Sequence, residues 1–204
     1  MLVTNCKIVT ETVPHHSNSK EGIMPNVLPI VKIGHPILTE EAHEVEAVDD
    51  PVIQKLIDDM IETYQNAHGL GIAGPQVNED RRIFIISSKP CPLYPDAPTR
   101  EPTAMINPVI LRRSKRKVTD WESCLSIPDT YGLVPRHATV TMAFTNRQGK
   151  RVRETFRGFL ARVCQHEQDH LDGILFLERL NPPRTFTREE YEQNVACARH
   201  KMHA

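Results

Sequence analysis

The chain has 204 residues, enough for one compact domain with a single core as the default. Its 39% hydrophobic and 25% charged residues and its formal net charge of -1 are those of an ordinary soluble globular protein. That balance excludes a strongly polycationic nucleic-acid or membrane-surface binder. No apolar stretch reaches the ~20 residues of a membrane span. The N-terminus lacks both the basic start and apolar core of a secretory signal and the arginines of a transit peptide, the first arginine being Arg81. The expected location is therefore the compartment of synthesis, a bacterial-type cytoplasm. Five cysteines are an odd number without a framework spacing, which points to thiols rather than disulfides.

Residues 1–27 show little periodicity and read as a poorly ordered extension, with residues 28–204 forming one domain. Leu28-Pro29-Ile30-Val31 suggests a short extended segment. Asp50 as N-cap and Pro51 at the first helical position open a helix, with Ile53, Leu56 or Ile57, Met60, Tyr64 and Ala67 at helical spacing. Ile83-Phe84-Ile85-Ile86 suits a buried strand, and the proline-rich segment 89–102 must be loop. Residues 105–111 read as a strand interrupted at Pro108. The run Arg112-Arg113-Ser114-Lys115-Arg116-Lys117 is the one basic cluster. It has no interleaved aromatics and reads as a solvated strand or loop, so no direct sequence-specific nucleic-acid binding is expected.

Val140, Met142 and Phe144 alternate with threonines as in a half-buried strand, and Asn146-Arg147-Gln148-Gly149 turns it into a partner over 151–156. A second helix spans about 158–171 and stops near Gly173. Thr187-Arg188-Glu189-Glu190 fits a capping box that opens a third helix bearing Tyr191 and Val195. The fold class expected is α+β, with mixed or antiparallel sheets around a central helix and a helix at the C-terminus.

The second helix contains His166-Glu167-Gln168-Asp169-His170, an H-E-x-x-H pattern. At about 100° per residue, the two histidines leave one face of the helix and form a ready pair of metal ligands. Glu167 lies about 80° aside, where a carboxylate can take a proton from water at the ion. Phe159 and Val163, a turn or two earlier, would form an apolar wall. A third ligand is open on spacing alone. Glu178 follows His170 too closely, and Glu189 and Glu190 belong to a separately capped helix. Cys124, just before a turn, would complete a Cys-His-His site, although a lone cysteine is more often a small buried hydrophobe.

Three segments together resemble the signatures of the peptide deformylases. They are Gly69-Leu70-Gly71-Ile72-Ala73-Gly74-Pro75-Gln76, Glu122-Ser123-Cys124-Leu125-Ser126 and Gln165-His166-Glu167-Gln168-Asp169-His170-Leu171. The likeness covers residues 28–180, and the helical ending resembles the branch with a C-terminal helix. It implies removal of the N-formyl group from the initiator methionine of newly made polypeptides. It also implies Cys124, His166 and His170 as ligands, Glu167 as general acid/base, and Gln76 with the Leu125 N–H as oxyanion holders. The backbone of Gly71 and Ile72, with Val163, would meet the peptide. One divalent ion per chain is implied, iron(II) (Fe2+) in the cell and zinc, nickel or cobalt in preparations. The partners implied are N-formyl-methionyl nascent peptides and a transient ribosome contact.

Two departures stand out: Gly74 where alanine is commoner, and Ser123 where glycine is usual. Several further residues stay ambiguous. Asp169 suits either a supporting role or an ordinary salt bridge. Arg162 could edge the pocket or lie in solvent. Glu122 and Arg136 could pair across strands, and Tyr131 could line the groove or pack a turn. Cys91, Cys164 and Cys197 read as structural. The rival readings are an H-E-x-x-H metallopeptidase with a downstream carboxylate ligand, a binding protein with a structural metal, and an inactive deformylase-like binder of nascent chains.

Overall fold

The computed structural model describes residues 24–90 and 97–202, the last seven as backbone only. Cys6, Cys91 and the side chain of Cys197 lie outside the described residues, as does most of the expected N-terminal extension. Of that extension, residues 24–27 are exposed, yet the Asn26 N–H donates to Asp59 at 2.6 Å. The Leu28–Val31 segment joins no sheet. It is pinned by single bonds, from the Leu28 N–H to the Thr63 hydroxyl (2.8 Å) and from the Val31 N–H to the Gln76 carbonyl (2.9 Å).

Helix α1 (Pro51–Asn66) starts as its sequence dictates, with the Asp50 carboxylate accepting from the Val52 N–H at 2.8 Å and Pro51 in the first turn. Its apolar stripe of Ile53, Leu56, Ile57, Met60 and Tyr64 is buried. Beyond it come β1 (Gly71–Ala73), β2 (Ile83–Ser88), β3 (Arg100–Arg113), β4 (Lys117–Cys124), β5 (Ile127–His137), β6 (Thr139–Thr145) and β7 (Arg151–Arg157). Helix α2 (Gly158–Leu171), β8 (Thr185–Phe186) and α3 (Arg188–Met202) complete the order. The strands form an antiparallel five-stranded sheet, β1-β2-β3-β6-β7, and a three-stranded sheet, β4-β5-β8. The α+β expectation holds.

Two strand assignments need correction. Residues 100–102 are not loop: Arg100 pairs with Ser88, and Pro102 sits near the start of β3. A strand start tolerates a proline that a central position would not. Pro108 does not interrupt the strand but lies in a bulge, where the register shifts between Ile106 and Val109 and Asn107 takes φ +48°. The Asn107 side chain secures that bulge by bonding both the N–H and the carbonyl of Val45.

The core has three parts. Ile57 and Met60 of α1 pack with Ile72, Ile83, Ile85 and Ile106 on one face of the five-stranded sheet. On the other face Phe84, Ile86, Met105, Val140, Met142, Phe144 and Phe156 meet Ala161, Val163, Cys164 and Leu171 of α2. The third cluster, under the β4–β5 hairpin, contains Leu38, Cys124, Ile127, Val134, Leu175 and Phe176. Every residue of α2 from Ala161 to Leu171 is buried, so the H-E-x-x-H helix lies between the two sheets. Beyond its end Gly173 takes φ +68°, and a Cβ there would come within 2.8 Å of the Thr39 backbone.

The capping box of α3 is formed: the Thr187 N–H donates to Glu190 at 2.9 Å, and the Glu190 N–H to the Thr187 hydroxyl at 3.3 Å. Tyr191 of α3 stacks on Tyr131 at 4.3 Å, and Trp121 meets Tyr191 and Phe186 edge-on. Tyr131 therefore packs the helix onto the β4–β5 hairpin. Among the described residues, no helix is long and apolar enough to cross a membrane.

Candidate active site

Two elements deliver the site. Helix α2 presents His166 and His170 one turn apart, and the β4–β5 hairpin presents Cys124 immediately before its two-residue turn. One ligand atom from each of the three lies within 4.8 Å of the others, and all three residues are buried. The Cys124 Sγ is 3.2 Å from the His170 Nε2. Of the third-ligand candidates left open by spacing, the thiol is in the cluster, whereas the Glu178 carboxylate accepts from the Leu175 N–H and that of Glu190 from the Thr187 N–H at its own helix cap.

The donor set fits one divalent cation. Burial holds both imidazoles neutral, the form that ligates, with His166 lowered to about 4 and His170 well below its ordinary value. Burial raises the Cys124 thiol, so a cation must displace its proton on binding. The His170 Nδ1 and both Glu167 oxygens are buried without a hydrogen-bond partner among the described residues. Orphaned polar atoms around a soft-and-imidazole donor set mark a place that a cation completes.

Glu167 is fully buried, and burial pushes its carboxyl up to about 7. A cation beside it draws that value down again. The carboxylate reaches β1: a Cβ on Gly71 would stand 2.7 Å from the Glu167 Oε1 and 2.9 Å from the Ile85 carbonyl. Glycine at 71 is thus required by close approach. Gln76 is held by the Ala73 N–H donating to its Oε1 at 2.9 Å. Its Nε2 points at the Cys124 Sγ (3.4 Å) and the Ser126 hydroxyl (3.2 Å). Leu125 occupies the hairpin turn. The Ile72 side chain is buried in the α1 cluster, so only its backbone is available to a ligand, and Val163 packs in the α2 cluster with 2% exposure.

Behind the ligands lies an ion network that the sequence reading only partly anticipated. Glu122 accepts from the His166 Nδ1 at 2.9 Å and from Arg136 through two bonds of 2.9 Å. Burial alone would raise its carboxyl, but Arg136 and His166 together hold it well below the usual carboxylate range. Asp169 pairs with both Arg136 and Arg179. Arg162 neither edges a pocket nor lies in solvent. Only 5% exposed, it donates to Glu122 at 2.7 Å and to the carbonyls of Val134 and Val118 at 2.8 and 2.7 Å. One arginine, a turn before His166, thereby ties both strands of the ligand hairpin to the ligand helix. Its signal in the sequence was weak, because a charged residue on an amphipathic helix ordinarily faces water.

The departures are accommodated. Ser123 is absent from the residues with positive φ, so its side chain carries no left-handed strain. At Gly74 a Cβ would meet the Arg81 carbonyl at 2.5 Å, so the backbone here is fitted to glycine.

The polypeptide deformylase family model matches residues 27–186, across both sheets and α2. The chain belongs to that family. A peptide deformylase 2 of Nostoc sp. is 49% identical over 172 residues, 84% of this chain and 96% of the relative. A class I type b peptide deformylase of Acinetobacter baumannii, solved with Met-Ala-Ser bound, is 43% identical with a TM-score of 0.74, over 77% of this chain and 100% of that one. The Thermotoga maritima peptide deformylase is 33% identical with a TM-score of 0.68, over 76% of this chain and 98% of that one. The chain is accordingly an enzyme, a metal-dependent hydrolase of protein biosynthesis that deformylates peptides. The metallopeptidase and non-catalytic readings gain no support from these relatives.

Proposed function

We propose that this chain deformylates the initiator methionine of nascent polypeptides at the Cys124–His166–His170 cluster, with Glu167 carrying the proton. The observation that carries this reading is the Glu167 carboxylate, buried, without a hydrogen-bond partner among the described residues and close to both the cluster and the β1 edge. A divalent ion held by the Cys124 thiolate and the two imidazoles would supply Lewis-acid activation of water and of the formyl carbonyl. Glu167 takes a proton from the attacking water and returns it to the nitrogen of the leaving methionyl amine, so formate departs as the C–N bond breaks. The Gln76 Nε2 and the Leu125 N–H donate to the oxygen on which charge develops.

The free edge of β1 offers the backbone of Gly71 and Ile72 to a peptide added as a further strand. Val163, one turn before Glu167, supplies the apolar wall. A formyl carbon bears only hydrogen beside its carbonyl bond, so a narrow site admits it and rejects acetyl. We assign iron(II) as the cellular ion, with zinc, nickel or cobalt able to replace it. We further assign a cytoplasmic location, transient ribosome contact and a single catalytic domain over residues 28–204.

The test is amine release from formyl-Met-Ala-Ser beside acetyl-Met-Ala-Ser, using protein purified anaerobically with iron(II) or nickel. Release from the formyl peptide alone is expected; cleavage of both, or of neither by metal-loaded protein, would refute the assignment. Cys124→Ala should abolish tight metal binding. Retention of one equivalent of metal by that variant, measured by plasma emission spectroscopy, would show that another residue is the third ligand.

A further inference from the structure

One face of the five-stranded sheet carries charge that the site does not use. Val140, Met142 and Phe144 of β6 point into the α2 cluster, so Thr139, Thr141 and Thr145 point the other way. Opposite them on β7 stand Arg157, Thr155 and Arg151, with Arg153 opposite Ala143, and Arg112 of β3 pairs with Thr141. Helix α1 packs over Ile72, Ile83, Ile85 and Ile106 on this side of the sheet, and α1 has no substantial contact with β6 or β7. Arg112, Arg151, Arg153 and Arg157 are all exposed. None has a carboxylate partner among the described residues. The acid of β7, Glu154, pairs with Arg100 at 2.7 Å, and the register opposes it to Met142, on the other face.

Charges on β7 also protect a sheet edge from pairing with another chain. Edge protection needs no single sign, however, and Arg112 of β3, opposite Thr141 of β6, adds a further arginine on this face away from β7. In a chain of net charge -1, four exposed arginines among threonines on one face, without a carboxylate partner among the described residues, make a localised positive surface.

We infer that this face docks the sugar–phosphate backbone of RNA without reading its sequence. Arginine forks and threonine hydroxyls are phosphate donors, and alternate positions along β7 lie about 6.6–7 Å apart, comparable to the step between successive phosphates. A lipid surface is the poorer match. Val109 and Leu111 of β3 are the large apolar side chains exposed nearby, and an interfacial site needs a continuous apolar face to bury. The inference goes beyond deformylation, and its test requires no turnover.

The test titrates the full chain into a fluorescein-labelled RNA hairpin and follows anisotropy as salt is raised. Four phosphate contacts predict a log–log salt slope of roughly -3, which is about 60-fold weaker binding for a fourfold rise in salt. The double variant Arg153→Gln/Arg157→Gln should lower the slope by about 2 while hydrolysing formyl-Met-Ala-Ser like the parent. No binding at low salt, or an unchanged slope in the double variant, would overturn the inference. Displacement of RNA by polyglutamate or by phosphatidylglycerol vesicles at equal charge would overturn it too, by showing a general cation exchanger or a lipid-facing surface.

Discussion

Replacing Glu167 with alanine is expected to leave the metal bound and to reduce deformylation by at least about 10²–10⁴-fold. The geometry separates the two outcomes. Glu167 lies outside the ligand cluster, which is formed by Cys124, His166 and His170. Its carboxylate sits in the gap before β1, where nothing else among the described residues bonds to it. Among the described residues no neighbouring acid is free to take over the proton. Glu122 is committed to His166, Arg136 and Arg162, and Asp169 to Arg136 and Arg179. The isosteric Glu167→Gln should lose as much, because an amide fills the space beside Gly71 but cannot accept and return the proton.

A second readout comes from stability. A buried carboxylate without a partner costs folding free energy, so Glu167→Gln should melt higher than the parent in the metal-free state. Near-normal turnover with the metal in place would end the assignment of Glu167. A lower melting temperature would instead mean that the carboxylate has a stabilising partner.

Much of this site was legible from residue order because local rules placed it. The H-E-x-x-H spacing alone puts both imidazoles on one helix face. Asp50-Pro51 and the Thr187–Glu190 box fix two helix starts through bonds that span three residues or fewer. The alternation of Val140, Met142 and Phe144 with threonines likewise reported a two-sided strand. What escaped was non-local. The β4–β5 hairpin lacks clean alternation, with Pro128, Gly132 and Pro135 inside β5, and it is held largely from outside. Arg162 bonds its strands from α2, and Tyr191 covers it from α3. Neither contact has a sequence signature, since the partners are 28 and 44 residues from Arg162 and nothing in their types marks them as acceptors. The identity of the third ligand was undecidable from spacing for the same reason: Cys124 is brought to His170 across 46 residues by that hairpin.

The hairpin's dependence on buried charge sets the second large effect, at Glu122. Glu122→Ala should lower stability by about 3–5 kcal/mol, because it leaves the guanidiniums of Arg136 and Arg162 without the carboxylate between them. It should also weaken metal binding by about 10–100-fold, since the His166 Nδ1 loses the acceptor that fixes its ring and tautomer. Glu122→Gln separates the two contributions. The amide oxygen can still accept from one group, but the negative charge that answers two arginines is gone, so stability should fall further than metal affinity. Chemical denaturation of the metal-free variants and competitive titration with a chromogenic chelator measure the two quantities independently. If Glu122→Ala bound metal like the parent, His166 would be oriented by its packing against Phe176 rather than by the carboxylate, and the hairpin's charges would serve the fold alone.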